Sequence, residues 1–153
     1  ILDSLATGGD LMSDRMQLAT LAYYYLLADP NTSMLMMNGG NEPASEWRRH
    51  WTDAIKFNVG QPVREQSQFA TGADPTDRSL VYKVYQREYQ NALVLYKPLS
   101  YTRGKTGTTA DATRTTHNLG GWYRPVKADG TLGAAVNQIT LRNGEGVVLA
   151  KVR

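Results

Sequence analysis

The sequence contains no cysteine. Disulfides, thiolate-bound zinc and thiol catalysis are therefore excluded. Histidine is scarce: His50 and His117 lie in different halves of the chain, with no carboxylate grouping that would mark a metal site. No Gly-x-Ser-x-Gly nucleophile turn occurs. No apolar run approaches the ~18 residues needed to span a bilayer, so no membrane partner is expected. The net charge is only +3, and Lys and Arg are scattered, which excludes the clustered basic face of a nucleic-acid binder. Gly104-Lys105-Thr106-Gly107-Thr108 lacks the full phosphate-loop spacing and does not join a strand to a helix. No Asp-rich loop demands calcium. Neither a cofactor nor a metal is expected.

What is present supports a folded core. Of 153 residues, 41% are hydrophobic and 20% charged, which is incompatible with whole-chain disorder. The sequence opens on Ile1 with no export signal of its own. It is expected to continue an upstream segment or to have lost one, in an extracellular or periplasmic setting.

The pattern changes near residue 80. Before it, Ser13 is placed to cap a helix, with Asp14 in the first turn and Asp29-Pro30 at the stop. That helix is apolar around most of its circumference, so it should be covered on two sides. Ser33 to Met37 reads as a short strand buried in a parallel sheet. Pro43, then Trp47 and Trp51 one turn apart, indicate a second helix ending near Ile55. Ala73-Asp74-Pro75 reads as a turn, while 57–72 carries few signals. After residue 80 the chain reads as strand and turn. Val81–Glu88 and Ala92–Tyr96 form an expected hairpin. Ser100 to Asn118 reads as a long loop, and Trp122-Tyr123-Arg124 as the start of a third strand. Val136–Leu141 and Val147–Val152 flank Arg142-Asn143-Gly144-Glu145-Gly146, a hairpin signal.

The run Tyr85-Gln86-Arg87-Glu88-Tyr89-Gln90-Asn91-Ala92-Leu93-Val94-Leu95-Tyr96-Lys97-Pro98 resembles the opening of the terminal β domain of bacterial glycoside-hydrolase-like proteins with a (β/α)8 barrel. Leu141 to Leu149 resembles the last hairpin of that domain. The resemblance implies an α+β chain: residues 1–79 as the end of a (β/α)8 barrel, and 80–153 as an antiparallel β-sandwich-like domain. It further implies a carbohydrate-active parent that takes a polysaccharide or oligosaccharide. In that case the β domain stabilises the barrel, and the isolated fragment is not catalytic. Partners would be the upstream barrel portion or copies of the chain itself. A structural self-assembling module and a sugar-binding module remain the other readings.

Asn41-Glu42-Pro43 resembles the Asn-Glu-Pro of retaining glycosidases, where the Glu is the general acid/base. Glu42 is accordingly the candidate catalytic residue and Asn41 a candidate substrate contact. The other reading makes Asn41 the cap of the helix that Pro43 begins, with Glu42 near its positive end. Trp122 and Tyr123 are the candidate sugar platform, because aromatic faces suit the apolar faces of sugar rings. Packing in a core is the competing role for both.

Overall fold

Ser13 does what a helix-capping serine does. Its backbone is extended, and its Oγ accepts a hydrogen bond from Met16 N at 3.3 Å. Helix α1 follows over Asp14–Leu27 and ends at Ala28, as the nearby proline requires. In this computed structural model the described residues are 2–5, 13–29, 35–38, 52–100 and 113–152. They contain one α-helix and two sheets.

The smaller sheet is a parallel pair, β1 (Leu2–Leu5) with β2 (Leu35–Asn38), in register Leu2 to Leu35. The larger has six strands: β3 (Ser67–Ala73), β4 (Val81–Glu88), β5 (Ala92–Lys97), β6 (Arg114–Pro125), β7 (Val136–Arg142) and β8 (Glu145–Lys151). Their order is β3-β4-β5-β8-β6-β7, and every pairing is antiparallel. The sheet curls into a half-barrel.

Strands β5 and β8 are buried on both faces, so they read as aliphatic runs rather than as alternating patterns. Val94, Val148 and Ala150 face the helix side, where they meet Leu21, Ala22 and Leu26 of α1. Leu93, Leu95, Val147 and Leu149 face the inside of the curl, with Val84, Leu119 and Leu141. Fully burying each of the larger aliphatic side chains contributes roughly 1.5–3 kcal/mol. A short 3-10 helix, Asp53–Lys56, and the extended chain after it close the helix side, through Ala54 and Val59. Thr52 Oγ1 ties this segment to Ala128 O at 2.8 Å.

Close approach sets the seating of α1. A side chain at Gly146 would place its Cβ 2.5 Å from Ala22 Cβ and 3.1 Å from Ala19 Cα. Glycine on β8 facing alanines on α1 lets the two backbones come together.

Several expectations need correction. The described residues form no end of a (β/α)8 barrel. The chain is mostly antiparallel sheet, and α1 packs on β4, β5 and β8 of that sheet. Its cover therefore comes from this chain on one side, while Tyr23 and Leu27 stay about half exposed. The segment 114–118, read as loop, is the first half of β6. Its inward residues are Thr115, His117 and Leu119, and two polar side chains in three hide a strand from any apolar pattern. The edge strand β3 is nearly as polar and gave no signal.

The expected β7–β8 hairpin is a tight corner without a ladder. β7 pairs with β6, whereas β8 pairs with β5 and with the far end of β6. β6 makes this possible by bending. Its register jumps between Asn118 and Tyr123, and Gly120 there has φ +69°. The β4–β5 hairpin stands as read, with Tyr85 opposite Tyr96. The Trp47/Trp51 helix lies outside the described residues.

Candidate surface groove around Trp122

The bend in β6 sorts its aromatic pair. Consecutive strand residues face opposite ways, and Trp122 and Tyr123 do. Tyr123 turns inward and packs on the inner aliphatic cluster. Trp122 is 59% exposed, more than any other large apolar residue among those described. The two cannot form one platform. Strand periodicity instead puts Trp122 on the face of Arg124, whose cross-strand partner Ala150 belongs to the helix side.

On that face runs an open groove of about 510 Å³; its lining includes Arg124 and Val152, the strand neighbours of Trp122, but not the indole itself. Phe57 and Asn58 line it from the chain after the 3-10 helix, and Asn91 from the β4–β5 turn. Arg124, Leu132, Ala150, Lys151 and Val152 complete the wall. The groove and Trp122 are joined through the backbone, since Val152 N donates to Trp122 O at 3.3 Å. Asn58 uses its side-chain oxygen to accept from Gly60 N at 2.9 Å, which turns its amide nitrogen to other use. Asn91 Nδ2 donates to Asn58 O at 3.2 Å and steadies this rim. An exposed indole next to amide and guanidinium donors can stack on a ring and hydrogen-bond its hydroxyls.

A second cavity, about 190 Å³, opens on the inner side and is lined by Arg64, Glu65, Phe69, Glu88 and Tyr123 among others. It holds two carboxylates, yet both face cations. Glu88 lies 2.9 Å from Lys151 and 3.5 Å from Arg64, and Glu65 lies 3.8 Å from Arg87. The hydrogen bond from Lys151 holds the Glu88 carboxyl below its ordinary range, against the opposing effect of burial. A glycosidase acid needs the reverse shift.

A third constellation has the residue types of a nucleophilic site but no access. Ser100, Asp74, Lys97, Thr113 and Asn143 are all buried. Ser100 Oγ donates to Asp74 Oδ2, and Asn143 Nδ2 donates to Ser100 Oγ at 3.2 Å. Asp74 also accepts from Thr76 N at 2.8 Å and Thr113 Oγ1 at 3.3 Å. Burial pushes its carboxyl upward, but the hydrogen bonds from Ser100, Thr76, Asp77 and Asn143 outweigh it and hold the group below its ordinary value. Lys97 Nζ reaches Leu141 O at 3.4 Å and sits 5.2 Å from the Tyr82 ring centre. Burial lowers its pKa, with Asp74 and Glu145 opposing. The cluster ties the Asp74 turn to the end of β5 and the β7–β8 corner, which is a structural task.

Asn41 and Glu42 lie outside the described residues. Among the described residues no group of His, Asp or Glu is placed to hold a metal, and no helix is long and apolar enough to cross a membrane. The sequence points to Trp122 but not to Asn58, Asn91 or Leu132, which reach the groove from distant segments. Arg124 was findable, because two residues along a strand is the same face.

No family model matches the chain, and no curated protein or solved structure matches it. The likeness to glycoside-hydrolase-like terminal domains thus rests on the residues quoted for it.

Proposed function

We infer that this chain is a non-catalytic glycan-binding β module of a carbohydrate-active protein, acting in an extracellular or periplasmic setting. The observation that carries this reading is Trp122, exposed on the strand face of Arg124 and bonded through its backbone to Val152, two residues that line an open groove. An exposed indole offers a flat apolar surface that suits the apolar face of a sugar ring. Asn58, which lines the groove and holds Gly60 N through its side-chain oxygen, has its amide nitrogen placed for a hydroxyl contact. The run from Tyr85 to Pro98, which resembles the terminal domains of glycoside-hydrolase-like proteins, supports the same setting.

The test is affinity electrophoresis through gels containing soluble neutral and acidic polysaccharides, followed by titration calorimetry. At least one polymer should retard the protein. Trp122→Ala should weaken that binding by about tenfold or more, the loss of one aromatic anchor. Because Trp122 is exposed, the thermal unfolding midpoint should not move. Migration unaffected by every polymer, or full binding by the Ala variant, would sink the reading.

A second reading, self-assembly, is favoured by one observation. Tyr23 and Leu27 of α1 border an apolar hollow of about 260 Å³ with Tyr85, Tyr96 and Pro98. Sedimentation velocity decides it: a single species of one-chain mass at high concentration removes this reading.

A further inference from the structure

We propose that the glycan taken by the Trp122 groove is acidic, with carboxylates on its sugar units. The proposal rests on the reading of that groove as a glycan site. Its basis is how Arg124 is held. Arg124 Nε donates to Gly133 O at 2.8 Å, and this single bond fixes the plane of the guanidinium on the groove wall. The two terminal nitrogens keep their donors. Among the described residues no carboxylate pairs with Arg124.

The surroundings leave that cation uncompensated. Phe57, Asn58, Asn91, Leu132 and Val152 are neutral, and among the described residues no acid lines the groove. Lys151 contributes to the wall, but its ammonium is taken by Glu88. The acids of the neighbouring segments do not pair with Arg124 either. Asp53 pairs with Lys56 at 2.7 Å, and Asp129 Oδ1 accepts from Thr131 N and Oγ1. A planar guanidinium with two parallel donors matches a carboxylate better than a hydroxyl. Trp122 and Arg124 stand two residues apart on one strand face, about 7 Å. A ring stacked on the indole would bring its own carboxylate, or its neighbour's, to the guanidinium.

The experiment compares polygalacturonate with the same polymer after carboxyl reduction, and adds dextran sulfate as a polyanion without carboxylates. Binding is measured by calorimetry for the wild-type chain, Arg124→Gln and Trp122→Ala. The expected result is at least about tenfold tighter binding of the carboxylated polymer than of its reduced form. Arg124→Gln should remove that preference, bringing the affinity for the carboxylated polymer down to that for its reduced form. Trp122→Ala should weaken both. Equal binding of the two forms, a preference that survives Arg124→Gln, or equally tight binding of dextran sulfate would each overturn the proposal. Neutral binding that depends on Trp122 but shows no acid preference overturns the acidic ligand alone. Binding of no polymer overturns the glycan site itself, and the proposal with it. Arg124 is exposed, so unfolding midpoints should match across the variants.

Discussion

Arg87 Nη1 lies 2.6 Å from the carbonyl oxygen of Ala28, the residue that ends α1. The same nitrogen reaches Leu26 O at 3.3 Å and Tyr25 O at 3.2 Å. A buried guanidinium on β4 thus satisfies the carbonyls that a helix end leaves open, and it complements the negative end of the helix dipole. Arg87→Met keeps much of the volume and removes the donors. It should cost about 2–3 kcal/mol, the penalty of leaving buried carbonyls unpaired. Arg87→Lys should recover only part of this, since a single ammonium cannot also replace the Nε donor that reaches Arg64 O at 3.3 Å. Urea denaturation measures both, and an unchanged midpoint for the Met variant would show that water serves the helix end equally well.

At Gly146 the sheet leaves no room for a side chain against Ala22 of α1. Gly146→Ala should destabilise by about 1–3 kcal/mol, because the added methyl must displace the helix. Ala22→Gly should cost about 1 kcal/mol alone, from helix propensity. Combined, the two should cost less than their sum, since the second makes room for the first. Strict additivity in this cycle would mean the methyl is accommodated elsewhere.

His117 is buried, with Nε2 2.7 Å from Thr115 Oγ1 and its ring against Phe69 and Tyr82. Burial first, then the charge of Lys97, lowers its pKa from 6.5. The unfolded chain therefore takes up the proton at a higher pH than the folded one does. Stability should be full above pH 6.5 and fall as pH drops below it, until the folded-state value is reached. His117→Gln should flatten that slope in denaturation measured on both sides of the transition. A slope that persists in the Gln variant would assign it to other groups.

Asp74 titrates at the acid end. Its folded pKa is depressed below 3.8, so its contribution is present above that value and is lost as pH falls through the folded pKa. Asp74→Ala leaves Ser100, Thr113 and two backbone amides without their acceptor. The expected cost at neutral pH is about 2–4 kcal/mol. Hydrogen exchange at Thr76 and Asp77 should speed up before the rest of the sheet; protection unchanged at both amides would show that the carboxylate does not hold this turn.

The sequence disclosed those parts whose physics is local. Ser13 and Pro30 bracket α1, and the aliphatic runs at Ala92 and Val147 mark β5 and β8. The partners of β8 were not legible. A two-residue turn at Asn143-Gly144 normally implies pairing of the strands it joins, and only the bend at Gly120 diverts β7 onto β6. The polar inner face of early β6, and β3 with only Phe69 and Ala70 turned to the core, likewise gave no periodic signal. At the groove, Trp122 was visible as an aromatic. Its exposure and its separation from Tyr123 follow from the strand, and Asn58 and Leu132 arrive by tertiary folding alone.

β8 lies between β5 and β6, although its residues follow all the others of the sheet. A ribosome that has released β3, β4 and β5 has made a meander whose inner edge waits for a strand not yet synthesised. The contacts that close the middle of the sheet join residues about fifty positions apart, from Ala92 with Ala150 to Lys97 with Glu145. Until then the aliphatic side chains of β5 are unpaired in the crowded space of the cell, where sticking to another nascent copy competes with folding. Production of the domain should accordingly depend more on chaperone supply during synthesis than its final stability alone would suggest.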